Sequence, residues 1–169
     1  YKGMIRPAEI GKFYACDLQD PNFTATAVQV HARMATNTDP QWANAQPCPF
    51  FLAHNGELNS AKANAHDMAN DPFVRSANGI APDARLSDSI LFDGDLANHI
   101  MQGMSLEEAF IKLMNPDPRN IADPELRAML AYNSLQRTPY NGPAFMATGH
   151  DGTFIARIDT VGLRPARFS

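Results

Sequence analysis

Ala144-Phe145-Met146-Ala147-Thr148 runs through His150-Asp151-Gly152 into Thr153-Phe154-Ile155-Ala156-Arg157-Ile158. Two apolar runs on either side of Asp-Gly predict a β-hairpin, because that dipeptide tolerates the positive φ angles of a tight turn. Upstream of the hairpin the pattern is helical. Asp123-Pro124 opens a helix carrying Leu126, Met129 and Leu130, with Asp as cap and Pro at the first position. Ser105-Leu106-Glu107-Glu108 fits a capping box, and Phe110, Leu113 and Met114 form the face that follows. Ser87-Asp88 precedes Ile90, Leu91, Leu96, Ile100 and Met101, a helical face closed by Gly103. Asn59 to Asn70 is Ala-rich and reads as a helix, and Arg6-Pro7-Ala8-Glu9-Ile10 opens a short one. Further out, Thr26-Ala27-Val28-Gln29-Val30 and Pro49-Phe50-Phe51-Leu52-Ala53 predict strands. Asn115 to Asp123 reads as an exposed loop. Strands at both ends of a helical block, without βαβ alternation, predict an α+β fold with antiparallel sheet.

At 169 residues the chain is long enough for one domain with a sizeable core. With 44% apolar and 19% charged residues it is neither a disordered tail nor a fibrous repeat. Eighteen acids against 14 bases leave −4, which speaks against a nucleic-acid or anionic-membrane surface. No apolar run reaches the roughly 20 residues of a membrane span, and no targeting pattern opens the chain. Cys16 and Cys48 lie far apart without CxxC spacing, so neither a disulfide framework nor a metal site is expected. An intracellular globular protein follows. A start at Tyr1 and an end at Leu163-Arg164-Pro165-Ala166-Arg167-Phe168-Ser169 read as a segment of something longer.

Three segments carry chemistry. His31-Ala32-Arg33-Met34-Ala35-Thr36-Asn37-Thr38 places one arginine after a strand, suited to a two-pronged grip on a carboxylate or to an ordinary salt bridge. Leu52-Ala53-His54-Asn55-Gly56-Glu57-Leu58-Asn59 holds an Asn-Gly that is either a plain turn or an oxyanion hole. In the second reading the Asn55 amide and the Gly56 backbone N–H point at one developing negative oxygen. Leu86-Ser87-Asp88-Ser89 is either a helix cap or a carboxylate that receives an ammonium. Arg33, Asn55-Gly56 and Asp88 together match an α-amino acid with a carbonyl on its side chain.

These residues resemble a known family. His31 to Thr38, Trp42, Gln46-Pro47 and Leu52 to Asn59 look like the core of a class II glutamine amidotransferase domain. Tyr1-Lys2-Gly3-Met4, Phe13-Tyr14, Asp17-Leu18-Gln19-Asp20-Pro21, Tyr140-Asn141-Gly142-Pro143-Ala144 and Gly162 to Arg167 are most similar to the version in glutamate synthase large subunits. The resemblance covers nearly the whole chain and identifies residues 1–169 as part of a single type 2 amidotransferase domain. It implies an N-terminal-nucleophile hydrolase fold, with antiparallel sheets between helical layers, incomplete at both ends of this segment. The implied reaction is hydrolysis of L-glutamine to glutamate and ammonia by an N-terminal cysteine whose own α-amino group accepts the proton. Arg33 and Thr36 would hold the α-carboxylate, Asn55 and Gly56 the oxyanion, and Asp88 the α-ammonium. His31, His54 and Glu57 would act as supports.

The nucleophile has no counterpart here, since neither Cys16 nor Cys48 carries a free α-amino group. The segment alone is therefore expected to be inactive. At Asp159-Thr160-Val161-Gly162 the family pattern has Arg and Asn where Thr160 and Val161 stand, a departure that concerns contacts with neighbouring domains. In glutamate synthase the resemblance implies ammonia passing to 2-oxoglutarate in the synthase domains of the same polypeptide. FMN and an iron–sulfur cluster would lie outside this segment, and electrons would come from a small subunit or ferredoxin. The implied location is the cytoplasm, or the plastid stroma of a photosynthetic source. The rival readings are an amidotransferase serving a different acceptor and a glutamine sensor that lost its cysteine.

Overall fold

The computed structural model describes residues 1–34, 38–50, 52–83 and 85–167. In chain order its regular elements are α1 (Ile10–Phe13), α2 (Ala15–Leu18), β1 (Ala53–Gly56), α3 (Ala61–Asn70), α4 (Pro72–Arg75), α5 (Asp88–Met101), α6 (Leu106–Leu113), α7 (Pro124–Gln136), β2 (Ala144–His150) and β3 (Thr153–Ile158). The fold is α+β. Among the described residues one antiparallel sheet forms, in the order β1-β2-β3.

The hairpin forms as its sequence dictates. Asp151 and Gly152 take φ angles of 45° and 78°, and β2 pairs with β3 from Phe145↔Ile158 to His150↔Thr153. β1 then adds to the other side of β2, from Ala53↔Ala147 to Gly56↔Ala144. The capping box at Ser105 is complete: its hydroxyl accepts from Glu108 N, and the Glu108 carboxylate accepts from Ser105 N. That local closure starts α6, whose Leu106, Phe110 and Leu113 are buried.

The core lies where α5 and α6 pack against the sheet. Phe92 meets Phe110 edge-on with ring centroids 5.4 Å apart, and Tyr140 at 4.9 Å. Leu52, Leu96, Met146 and Ala144 complete the same cluster. Edge-to-face rings of this kind add to the burial energy that joins the layers. On the opposite face of the sheet Phe154 is 51% exposed.

Two expected strands differ. Thr26 to Val30 forms no strand, and Val28 and Val30 are 73% and 86% exposed, because no described segment pairs with it. The strand expected over Pro49 to Ala53 begins at Ala53 instead. Cys48 N donates to Leu52 O at 3.1 Å, closing a turn, and the backbone N–H groups of Phe50 and Leu52 donate to the Asp93 carboxylate at 2.8 and 3.3 Å. A side chain on α5 has taken donors that a ladder would need. On α7 only Leu130 is buried, while Leu126 and Met129 stand 37% and 46% exposed. The expected loop at 115–123 holds a single 3-10 turn, Pro118–Asn120.

Candidate active site

The site grows from the first turn of α5. Ser87 caps the helix, its hydroxyl accepting from Ile90 N at 3.4 Å, and its own N–H donates to the buried Asn44 side chain at 2.9 Å. Asp88 follows with its side chain 19% exposed. One carboxylate oxygen accepts from Leu58 N at 2.8 Å and the other from Ser89 N at 2.7 Å. Those bonds fix the carboxylate on the loop after β1 while leaving part of it open.

β1 supplies the second wall. Glu57 N donates to Pro143 O at 3.1 Å, so by the alternation of an antiparallel ladder residues 53, 55 and 57 turn their N–H groups toward β2. Residues 54 and 56 turn theirs to the open edge. At His54 that edge is covered by the Gln46 amide, which accepts from His54 N at 2.8 Å and donates to His54 O at 2.9 Å. At Gly56 the edge faces a cavity. Gly56 has φ of +139°, and a Cβ there would lie 1.8 Å from Pro143 O. Gly142, with φ of +153°, is the reciprocal case, its Cβ falling 1.9 Å from Glu57 O. Two backbones cross here at a distance that only glycine permits.

The cavity measures about 630 Å³, within the usual range for small-molecule sites. Arg33, Gly56 and Asp88 all line it, with Leu58, Asn59 and Arg85 nearby. Arg85 is engaged by Asp83 through a two-pronged contact of 2.6 and 2.9 Å. Arg33, half-buried, reaches Ser89 Oγ at 3.5 Å. His54 is buried behind this wall, with Nδ1 2.8 Å from Ser89 Oγ and 3.9 Å from Asp88 Oδ1. Burial pushes the His54 imidazole below its usual pKa against the pull of Asp88, and Arg33 and His31 push the same way as burial. Burial likewise lowers His31, aided by Arg33. Both rings are thereby biased toward the neutral form.

Of the residues singled out from sequence, Arg33, Gly56 and Asp88 come together around one hollow. Asn55, one position before Gly56, is exposed and is not among the residues lining it. Thr36 lies outside the described residues. Cys16 is exposed, and Cys48 is buried with its thiol pushed far up by burial first and by Asp93 second. Neither cysteine lines the cavity. Sequence reasoning missed Ser89 and the edge-covering role of Gln46. A signal for Ser89 was present, since one serine suffices to cap a helix and Ser87-Asp88-Ser89 has two. Among the described residues no three His, Cys, Asp or Glu side chains gather as a metal site. Among the same described residues no helix is long and apolar enough to cross a membrane.

Sequence comparison places the chain among known proteins. The glutamate synthase [NADPH] large chain of Bacillus subtilis is 33% identical over 99% of this chain and 12% of its own length. The chloroplastic ferredoxin-dependent glutamate synthase of Spinacia oleracea is 35% identical over 99% of this chain and 11% of its own. The glutamate synthase [NADH] of Saccharomyces cerevisiae is 32% identical over 99% of this chain and 8% of its own. The chain thus spans about a tenth of the length of the curated relatives it matches. The family model for class-II glutamine amidotransferases matches residues 1–169. The chain belongs to the class-II glutamine amidotransferases.

Proposed function

We propose that this chain is the glutamine-binding part of a glutaminase domain working within a glutamate synthase polypeptide. The observation that carries the reading is the convergence of Arg33, the open-edge N–H of Gly56 and Asp88 on one cavity. A guanidinium takes the α-carboxylate and a carboxylate takes the α-ammonium, which leaves the side-chain amide of L-glutamine to reach the edge of β1. Thr36 assists Arg33.

A thiolate attacks the amide carbon, and the electron pair moves onto the carbonyl oxygen. The Gly56 N–H, which faces the cavity, stabilises that oxyanion, a donor of this kind being worth roughly 3–4 kcal/mol of barrier. Collapse passes the proton that the nucleophile's α-amino group took from the thiol to the leaving nitrogen, expels ammonia and leaves a thioester, which water converts to glutamate with return of the thiol. Cys16 and Cys48 stand away from the cavity, so the thiol comes from elsewhere in the polypeptide and these 169 residues release no ammonia by themselves.

Ammonia then passes to the synthase domains and 2-oxoglutarate, with FMN and an iron–sulfur cluster carrying electrons from a small subunit or ferredoxin. This chain's two cysteines do not fit a four-cysteine cluster, so the iron–sulfur cluster would lie in the rest of the enzyme. The compartment is the cytoplasm or the plastid stroma.

The test uses Asp88→Asn in the full-length enzyme. Asparagine keeps an acceptor for Leu58 N and loses the charge that an ammonium needs. Glutamine-dependent turnover should fall about 10- to 100-fold, the worth of one charge-assisted hydrogen bond, with ammonia-dependent turnover spared. Equal losses with both nitrogen sources would overturn the assignment.

A further inference from the structure

The serine that follows Asp88 has no capping duty, because Ser87 already caps α5. Ser89 is nevertheless fully buried, with its hydroxyl at the meeting point of three site residues. Ser89 Oγ lies 2.8 Å from His54 Nδ1, 3.3 Å from Asp88 Oδ1 and 3.5 Å from Arg33 Nη1. A hydroxyl has one hydrogen and two lone pairs to give. Arginine only donates and an ionised carboxylate only accepts. The hydroxyl hydrogen therefore goes to Asp88, and its lone pairs take N–H groups from Arg33 and from His54 Nδ1. This assignment puts the His54 proton on Nδ1 and leaves Nε2 bare, and Nε2 is a buried atom without a hydrogen-bond partner. An unpartnered acceptor is more easily tolerated in an interior than an unpartnered N–H.

We infer that Ser89 is a positioning residue that sets the selectivity of the site for a free α-carboxylate, by holding the Arg33 guanidinium at a fixed place beside Asp88. The two charged groups differ in how they are held. Asp88 keeps two backbone donors, Leu58 N and Ser89 N, whatever happens to the hydroxyl. Arg33 takes its hydrogen bond from this arrangement through Ser89 alone among the described residues. Loss of the hydroxyl thus loosens the carboxylate end of the site and leaves the ammonium end in place. The inference rests on the glutamine reading given above.

The experiment measures binding to the full-length enzyme of L-glutamine and of L-glutaminamide, which keeps the ammonium and replaces the carboxylate by a neutral amide. Ser89→Ala should weaken L-glutamine about tenfold, the worth of one hydrogen bond, and change L-glutaminamide less than twofold. In an Arg33→Ala background the same substitution should have no further effect on L-glutamine. Equal weakening of both ligands, or additive losses in the double variant, would mark Ser89 as merely structural and overturn the inference. If Ser89→Ala does not fold, Ser89→Cys, a weaker acceptor for Arg33 of similar volume, should show the same ligand bias at smaller size, and an unbiased Cys variant overturns it equally. An unsubstituted enzyme that binds neither ligand refutes the glutamine reading itself, whereas one that binds L-glutamine normally but ignores Ser89→Ala refutes only this step.

Discussion

Helix α5 carries two groups of polar residues that meet opposite fates. At its first turn Asp88 is held by backbone donors on one side and opens to a cavity on the other. Two turns later Asp95 is buried and used up: Arg137 grips both its oxygens, one at 3.2 Å and the other in a shorter contact, and Tyr140 donates at 3.1 Å. His99 Nε2 lies 2.9 Å from the same guanidinium. Both groups contain an arginine, an aspartate and a histidine. The difference is saturation. A carboxylate whose partners all belong to the protein holds helices together, and one with an open quadrant can take a ligand.

The contrast can be broken most forcefully at Arg137. Arg137→Ala leaves Asp95 buried without its partner and should cost about 3–5 kcal/mol of stability in a urea titration. Glutamine affinity of the folded variant should change less than twofold. Replacing both members, as Arg137→Met with Asp95→Leu, should regain much of the loss. A collapse of glutamine affinity in folded Arg137→Ala would erase the distinction between the two groups.

A pH titration sharpens it from within the buried half. Burial pushes the Asp93 carboxyl up to about 6 and the His99 imidazole down to about 4. Between about pH 4 and 6 folded Asp93 binds more protons than the unfolded chain, so its contribution is complete at low pH and is lost as pH rises. Folded His99 binds fewer, so its contribution is complete above about pH 6.5 and is lost as pH falls through about 4. The two oppose across one window, each by roughly 3 kcal/mol. Relative to the parent chain, Asp93→Asn should gain stability as pH rises from about 4 to 6, and His99→Gln should lose it. Parallel profiles for both variants would contradict the environments described for these groups.

The smallest effect belongs to the cap. Ser87→Ala removes one hydrogen bond at the start of α5 and should cost about 1 kcal/mol in the same urea titration. A loss as large as that of Arg137→Ala would show that the open end of the helix bears as much load as the buried middle.

What the sequence disclosed was local. The Asp151-Gly152 turn and the Ser105 to Glu108 box each close on residues within four positions, so their spacing is visible in a string of letters. Arg33, Gly56 and Asp88 were legible because their residue types are chemically unusual beside their neighbours. The early strands were not. The N–H groups of Phe50 and Leu52 go to Asp93, more than 40 positions away, and periodicity carries no sign of that. The Asp95–Arg137 pair spans 42 positions and was equally hidden. Ser89 was hidden differently, by looking like a second cap.

The reciprocal approach of Gly56 and Gly142 separates heredity from chemistry. Each is demanded by the opposing backbone carbonyl, so a descendant with no catalytic role would still inherit both glycines or lose this crossing. Arg33 and Asp88 are held by hydrogen bonds alone, which other polar residues could supply. Among diverged copies, drift at those two positions with Gly56 intact would be the signature of a scaffold that outlived its reaction.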